Sequence, residues 1–182
     1  LVKIGKPAVP EMVQALQAIV DHEGPCYMRM LRRDVPVLLD PDRYTFRLGR
    51  AVLVRQGSDV TIACTGSTLA VALEAARMLR TENVEATVLH VPTIKPLDED
   101  AVLECAARTA GVVTVEDHLI SGGLGSTVAE LLCEHAPAPV MRVGLVDTFG
   151  AAGTPDYLLE RHGITAVDVA AAAGVLMKRS GD

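Results

Sequence analysis

The chain has 182 residues, 49% of them hydrophobic and 22% charged, which suffices to bury the core of one large domain or of a domain with an added piece. A net charge of −6, an aromatic content of 3% and the absence of Trp exclude a non-specific nucleic-acid binder and a base-stacking surface. No apolar run approaches the length of a membrane span, and Leu1 to Pro7 lacks the apolar core and cleavage site of a signal peptide, so neither membrane nor nucleic acid is expected as a partner.

In chain order, Pro10 to Ile19 carries Met12, Val13, Leu16, Ile19 and Val20 on one helical face. His22-Glu23-Gly24-Pro25 ends that helix, and Cys26 to Leu31 reads as a strand. A helix and a strand cannot enclose a core, so residues 1–39 are expected to be a remnant of a second α/β domain. Residues 40–50 read as a linker, with Pro41 and Asp42 as turn formers. Ala51 to Arg55 and Val60 to Cys64 flank Gln56-Gly57-Ser58-Asp59, which predicts a hairpin and hence one antiparallel strand.

From there strands and helices alternate. Helices are predicted at Ser67 to Arg80, Glu99 to Thr109 (N-capped by Asp98), Leu124 to His135, Pro155 to Arg161 and Ala166 to Lys178. Strands are predicted at Ala86 to Val91, Gly111 to Glu116 and Val140 to Gly144. This alternation implies an α/β three-layer sandwich with a mostly parallel sheet and crossovers on both faces. Cys26, Cys64, Cys105 and Cys133 form no CxxC pair and fall inside predicted elements, so they are expected to be reduced, buried thiols of a cytoplasmic protein.

Two turns open helices after strands. Thr65-Gly66-Ser67 is a tight turn with Ser67 as N-cap, since it lacks a dinucleotide fingerprint and no acid ends the next strand. Gly122-Gly123-Leu124-Gly125-Ser126 is the stronger feature. It reads either as a structural turn that packs helix on sheet or as an anion or interface site at a helix terminus. The strand before it ends in Glu116-Asp117, which would repel a phosphate. Glu116 is expected to bond loop amides or a partner chain, and His118 is either a candidate acid or base or merely solvated. Arg29, Arg32 and Arg33 cluster at the end of the first strand, as a solvated strand end or as phosphate ligands. Phe149, between turn formers, is expected to anchor its loop on the core. Hydrolase triad, Walker loop and zinc spacings are absent, so no catalytic and no metal-binding residues are assigned.

Several of these segments stand in order at consistent spacing. Thr65 to Ser67, Ile94-Lys95-Pro96-Leu97-Asp98, Val115-Glu116-Asp117-His118 with Gly122 to Ser126, and Asp147 to Thr165 resemble the recurring motifs of the C-terminal domain of the transketolase family over residues 51–182. Lys6-Pro7-Ala8 and Gly24 to Arg33 resemble the last helix and strand of that family's middle, pyrimidine-binding domain, with Val9 where the family usually has Asp. Split transketolases and deoxyxylulose-phosphate synthase share this wording most fully. The E1 β subunits of 2-oxoacid dehydrogenases share it more weakly.

The resemblance implies the C-terminal section of a transketolase, whose whole enzyme moves two-carbon ketol units between sugar phosphates with thiamine diphosphate and Mg²⁺. It implies that Arg32 holds the substrate phosphate. It also implies that the activating glutamate and the diphosphate motif lie on an N-terminal section or upstream domains, and that a homodimer forms. The chain alone is then expected to bind no cofactor and to be inactive, and Leu1 is expected to mark a cut within the middle domain. The alternatives are the corresponding part of deoxyxylulose-phosphate synthase or of an E1 β subunit, or a non-catalytic assembly or anion-binding module. An independent nucleotide-binding protein is disfavoured, because neither glycine turn has the acid or lysine required.

Overall fold

The computed structural model describes residues 9–30, 35–40 and 42–180. The elements are α1 (Val9–Val20), β1 (Val52–Arg55), β2 (Val60–Cys64), α2 (Thr68–Thr81), β3 (Ala86–His90), α3 (Glu99–Ala107), β4 (Val112–Leu119), α4 (Leu124–His135), β5 (Val140–Leu145), α5 (Pro155–Arg161) and α6 (Ala166–Ser180). The sheet runs β1-β3-β2-β4-β5, with β1 antiparallel to β3 and the other pairs parallel. Strands β2 and β3 are buried along their whole length, as their unbroken apolar and β-branched runs require of central parallel strands.

Two apolar cores flank the sheet. Leu69, Ala72, Ala76 and Leu79 of α2 pack with Val169, Ala173 and Leu176 of α6 on one face. Val102 and Ala106 of α3 pack with Leu124, Val128 and Leu132 of α4 on the other. Helix α2 therefore leaves β2 toward one face and α4 leaves the adjacent β4 toward the opposite face. The carboxyl ends of β2 and β4 form the topological switch point, where open α/β sheets place a ligand crevice.

Five expectations need correction. The hairpin is absent: β3 lies between β1 and β2, so the Gln56 to Asp59 loop crosses the start of β3. The antiparallel strand exists, but its partner is β3. Of the strand expected at Cys26 to Leu31, residues 26–30 form none and pair with no strand among the described residues, and Leu31 lies outside them. Ser67 does not cap α2, since its backbone is already helical and its hydroxyl is used elsewhere. Thr68 instead ties the first turn of α2 to the Thr65 and Val115 carbonyls at 2.9 and 2.8 Å. Phe149 anchors nothing, being 104% exposed. Finally, only Cys64 of the four free thiols is fully buried, with Cys105 half-buried and Cys26 and Cys133 exposed.

Other expectations hold in detail. Asp98 caps α3 by accepting from the Ala101 amide, and its second oxygen accepts from Ala51 at 2.8 Å, which staples the 40–50 segment to the helix. Helix α5 spans the predicted Pro155 to Arg161, and Thr154, which is not anticipated along the chain, caps it by accepting from the Tyr157 amide. Burial pushes the Cys64 thiol well above its ordinary pKa, with Glu11 adding to the effect. Native thiol titration with an aromatic disulfide reagent is expected to modify Cys26 and Cys133 rapidly and to leave Cys64 unmodified until the protein unfolds.

Candidate functional site

Past Cys64, β2 ends while β4 runs on, and the β4–β5 register breaks between Val115 and Leu119. Bulges of this kind re-aim side chains. Here three consecutive polar residues alternate between the faces. Glu116 and His118 turn toward α4, and Asp117 turns toward α2.

Glu116 is completely buried at the N-terminus of α4. Its Oε2 accepts from the Leu124 amide at 2.7 Å and its Oε1 from the Gly125 amide at 2.8 Å. A helix terminus leaves such amides without intrahelical partners, and a carboxylate there is favoured by the macrodipole. The glycines make room for it. A Cβ on Gly123 would stand 2.0 Å from Glu116 Oε2, and one on Gly125 would stand 2.7 Å from Thr114 Oγ1. Gly122 has φ +76, a conformation that side chains disfavour. Ser126 closes the turn by accepting from the Gly122 amide and donating to the Ile120 carbonyl, both at 2.9 Å. The anion at this terminus is thus the chain's own carboxylate.

His118 Nδ1 lies 2.8 Å from Glu116 Oε2, with its side chain 25% exposed. The hydrogen bond to Glu116 raises the imidazole above its ordinary value, and burial offsets only part of that effect. Gly122, Gly123, Gly125, Ser126, Glu116 and His118 therefore meet in one place. Arg32 and Arg33 lie outside the described residues.

Across the switch point, Ser67 Oγ donates to Asp117 Oδ2 at 3.1 Å and so bridges the ends of β2 and β4. Arg29 seats its guanidinium on the same residue. Nη1 pairs with the Asp117 carboxylate, and Nη2 donates to the Asp117 carbonyl at 3.1 Å. Beside it lies a cavity of about 1040 Å³ between α1, residues 25–30, the Pro92 to Pro96 loop and the Gly122 turn. Its floor contains a second polar cluster. His90 Nε2 donates to Glu11 Oε1 at 2.9 Å, and the Tyr44 hydroxyl donates to the same oxygen at 2.7 Å. Burial opposes charge on Glu11, but the hydrogen bond and charge of His90, with the Tyr44 hydroxyl, outweigh it and hold the carboxyl below its ordinary value. Burial and then Glu11 push the Tyr44 phenol up. Gln14 adds two more bonds, to the Tyr44 carbonyl and from the Phe46 amide. Helix α1 is thereby docked on the sheet end.

Glu11, Tyr44 and His90 are not singled out along the chain, and Arg29, Ser67 and Asp117, noted there in other roles, are not expected to meet. A signal existed for two of them. His90 is a polar residue closing an unbroken buried strand, and strand alternation sends Asp117 opposite to Glu116.

At the crevice, Asp117 is already bridged by Ser67 and Arg29. Asp117 stands where a phosphate would sit in a nucleotide-binding fold, and Glu116 fills the helix terminus that would hold one. These residues do not fit a diphosphate. Among the described residues, no group of three or more His, Cys, Asp or Glu is placed to hold a metal ion, and no helix is long and apolar enough to cross a membrane.

Comparison with known proteins gives a consistent result. The family model described as the transketolase C-terminal domain matches residues 49–169. The chain is 47% identical over 165 residues to a 6-deoxy-6-sulfo-D-fructose transketolase subunit of Clostridium sp. strain MSTE9, covering 91% of this chain and 51% of that protein. It is 39% identical over 165 residues to 1-deoxy-D-xylulose-5-phosphate synthase of Heliobacterium modesticaldum, covering 90% of this chain and 26% of that protein. Among solved structures, a split gene transketolase described as an inactive beta4 tetramer superposes with a TM-score of 0.85 at 44% identity, covering 91% of this chain and 55% of that one. The chain thus spans about half the length, or less, of these curated relatives.

Proposed function

Since the chain belongs to the transketolase C-terminal domain family, we propose that it is the C-terminal section of a two-part, thiamine diphosphate-dependent transketolase that moves two-carbon ketol units between sugar phosphates. The cofactor supplies the carbanion chemistry when bound to the whole enzyme. This section acts as a scaffold and assembly domain. Residues 1–39 complete the pyrimidine-binding domain of an N-terminal partner, 40–50 connect the two, and 51–182 form the C-terminal domain. Arg32 holds the substrate phosphate, the Gly122 turn lies at an interface, and the assembled enzyme is a cytoplasmic homodimer of such two-part units. The structural relative described as an inactive beta4 tetramer supports both self-association and the need for a partner.

The observation that supports the scaffold reading is that the helix terminus at the crevice is satisfied from within the chain. Glu116 satisfies the amides of α4, and Arg29, Asp117 and Ser67 bridge the switch point. The amides that open α4 are thus already taken, and the cavity beside them is lined by Asp117 and Glu11 as well as by Arg29 and Lys95.

Reconstitution tests the proposal. The chain alone is expected to show no turnover of sugar phosphates and no micromolar binding of thiamine diphosphate by calorimetry. Ketol transfer is expected once the N-terminal section is added. In that assembly Arg32→Ala should raise KM for phosphorylated sugars about a hundredfold, the order expected for losing a charge-assisted phosphate contact. Micromolar cofactor binding by the chain alone would overturn the reading. The second reading, part of a deoxyxylulose-phosphate synthase, is favoured by the 39% identical relative. Formation of 1-deoxy-D-xylulose 5-phosphate by the reconstituted assembly would select it.

A further inference from the structure

We propose that Asp117 is a positioning residue: with Ser67 it grips the guanidinium of Arg29 and so fixes the 25–30 arm against the switch point of the sheet. The proposal deepens the functional reading above and rests on it for one consequence. Arg32, taken there as the phosphate ligand, follows Arg29 by three positions in the sequence, so the grip on Arg29 fixes the chain shortly before it.

The geometry distinguishes this contact from an ordinary surface pair. Exposed ion pairs are worth little, because two long side chains must be held still in water. Asp117 is only 15% exposed, against 44% for Arg29, and Ser67 Oγ donates to the second oxygen of its carboxylate. Arg29 then engages two acceptors of one residue, the carboxylate and the main-chain carbonyl, using the planar fork that lysine lacks. The crevice where related topologies hold a ligand is here a guanidinium site, and its ligand comes from the same chain.

Arg29 is also where the arm is held. Among the described residues, the hydrogen bonds that tie residues 25–30 to the sheet both come from Arg29. Tyr27, two positions earlier, is 88% exposed. Helix α1, by contrast, has its own anchorage through Glu11 and Gln14 to His90, Tyr44 and Phe46. Loss of Asp117 therefore releases the arm while α1 and the two cores stay in place. That makes the role separable from folding.

Two measurements decide it. A nitroxide is attached to Cys26 in the full chain carrying Cys133→Ser and Cys105→Ser, and its line shape is compared with and without Asp117→Asn. The immobilised component is expected to be lost in Asp117→Asn and equally in Arg29→Ala. It should persist in Arg77→Ala, which removes only a surface pair with Glu74. In the reconstituted enzyme, Asp117→Asn is expected to raise KM for a phosphorylated acceptor about tenfold, less than the loss of Arg32 itself, because the phosphate ligand is displaced and not removed. In that variant kcat should stay within about twofold, and KM for an unphosphorylated substrate should not move. An immobile label in Asp117→Asn overturns the grip. A uniform loss of kcat with every substrate, or an unchanged KM, overturns the positioning role. If the unmutated assembly performs no ketol transfer, the functional reading fails, and the label still reports on the grip.

Discussion

Glu116→Ala is expected to cost the fold about 4 kcal/mol, the sum of two charge-assisted hydrogen bonds lost inside a dry site and of the helix amides left without partners. For a chain of this size that corresponds to a fall in Tm of about 8–16 °C, measured by calorimetry. Water cannot substitute at once, because Glu116 has no exposed surface. The amides of Leu124 and Gly125 would face the space it vacates. Glu116→Gln keeps the volume but presents an NH2 group to one of those donors, so it should fall between the two. A drop of less than about 1 kcal/mol in Glu116→Ala would mean that the terminus is satisfied in another way.

The same variant should change how stability depends on pH. Glu116 lifts the His118 imidazole above its ordinary value of 6.5. A group whose pKa is higher folded than unfolded stabilises the fold fully below its unfolded pKa. That contribution is lost as pH rises through the folded one. Unmutated protein should therefore lose stability as pH climbs from about 6.5 through the raised His118 value, and Glu116→Ala should lose less over that window. His118→Asn should flatten the same stretch while leaving most of the Glu116 contribution intact. A slope of the opposite sign would show that His118 is held neutral.

What could be read along the chain follows from the range of the interactions. Helices α4 and α5 begin and end at the predicted residues, because their boundaries are local: Gly123 before α4, and Thr154 with Pro155 at α5. The capping carboxylate was also near to hand, since Glu116 precedes its amide partners by eight and nine positions. Partners at long range were not legible. Asp117 meets Arg29 across 88 positions and His90 meets Glu11 across 79, distances over which periodicity carries no information. Phe149 failed for a different reason. An aromatic between turn formers suggests an anchor only if the loop folds back, and this loop leaves the ring in water.

The loop at Gly57 provides the sharpest test of that distinction, because the two readings of the same glycine predict different costs. In a hairpin, Gly57 would sit at an open turn and Gly57→Ala would be nearly silent. In the observed topology the loop is pressed against the entrance of β3. An added Cβ would lie 2.4 Å from both the Glu85 carbonyl oxygen and the Ala86 carbonyl carbon, which are main-chain atoms that no rotamer can move. Nor can the loop retreat freely. The Gly57 amide and carbonyl both bond Thr87 Oγ1, at 3.0 and 2.8 Å, and the Ser58 and Asp59 amides both donate to the Glu85 carbonyl. The Glu85 amide in turn donates to Asp59 Oδ2 at 2.7 Å. Shifting the loop by the ångström needed would break several of these bonds at the point where two strands begin. Gly57→Ala is therefore expected to destabilise by about 3–5 kcal/mol in urea denaturation, at the upper end for a single added methyl group. Gly150→Ala, where an added Cβ meets nothing within 4 Å, is the control and should stay within about 0.5 kcal/mol. Equal and small effects at the two glycines would mean that β1 does pair with β2, and that the order of the sheet is wrong at its edge.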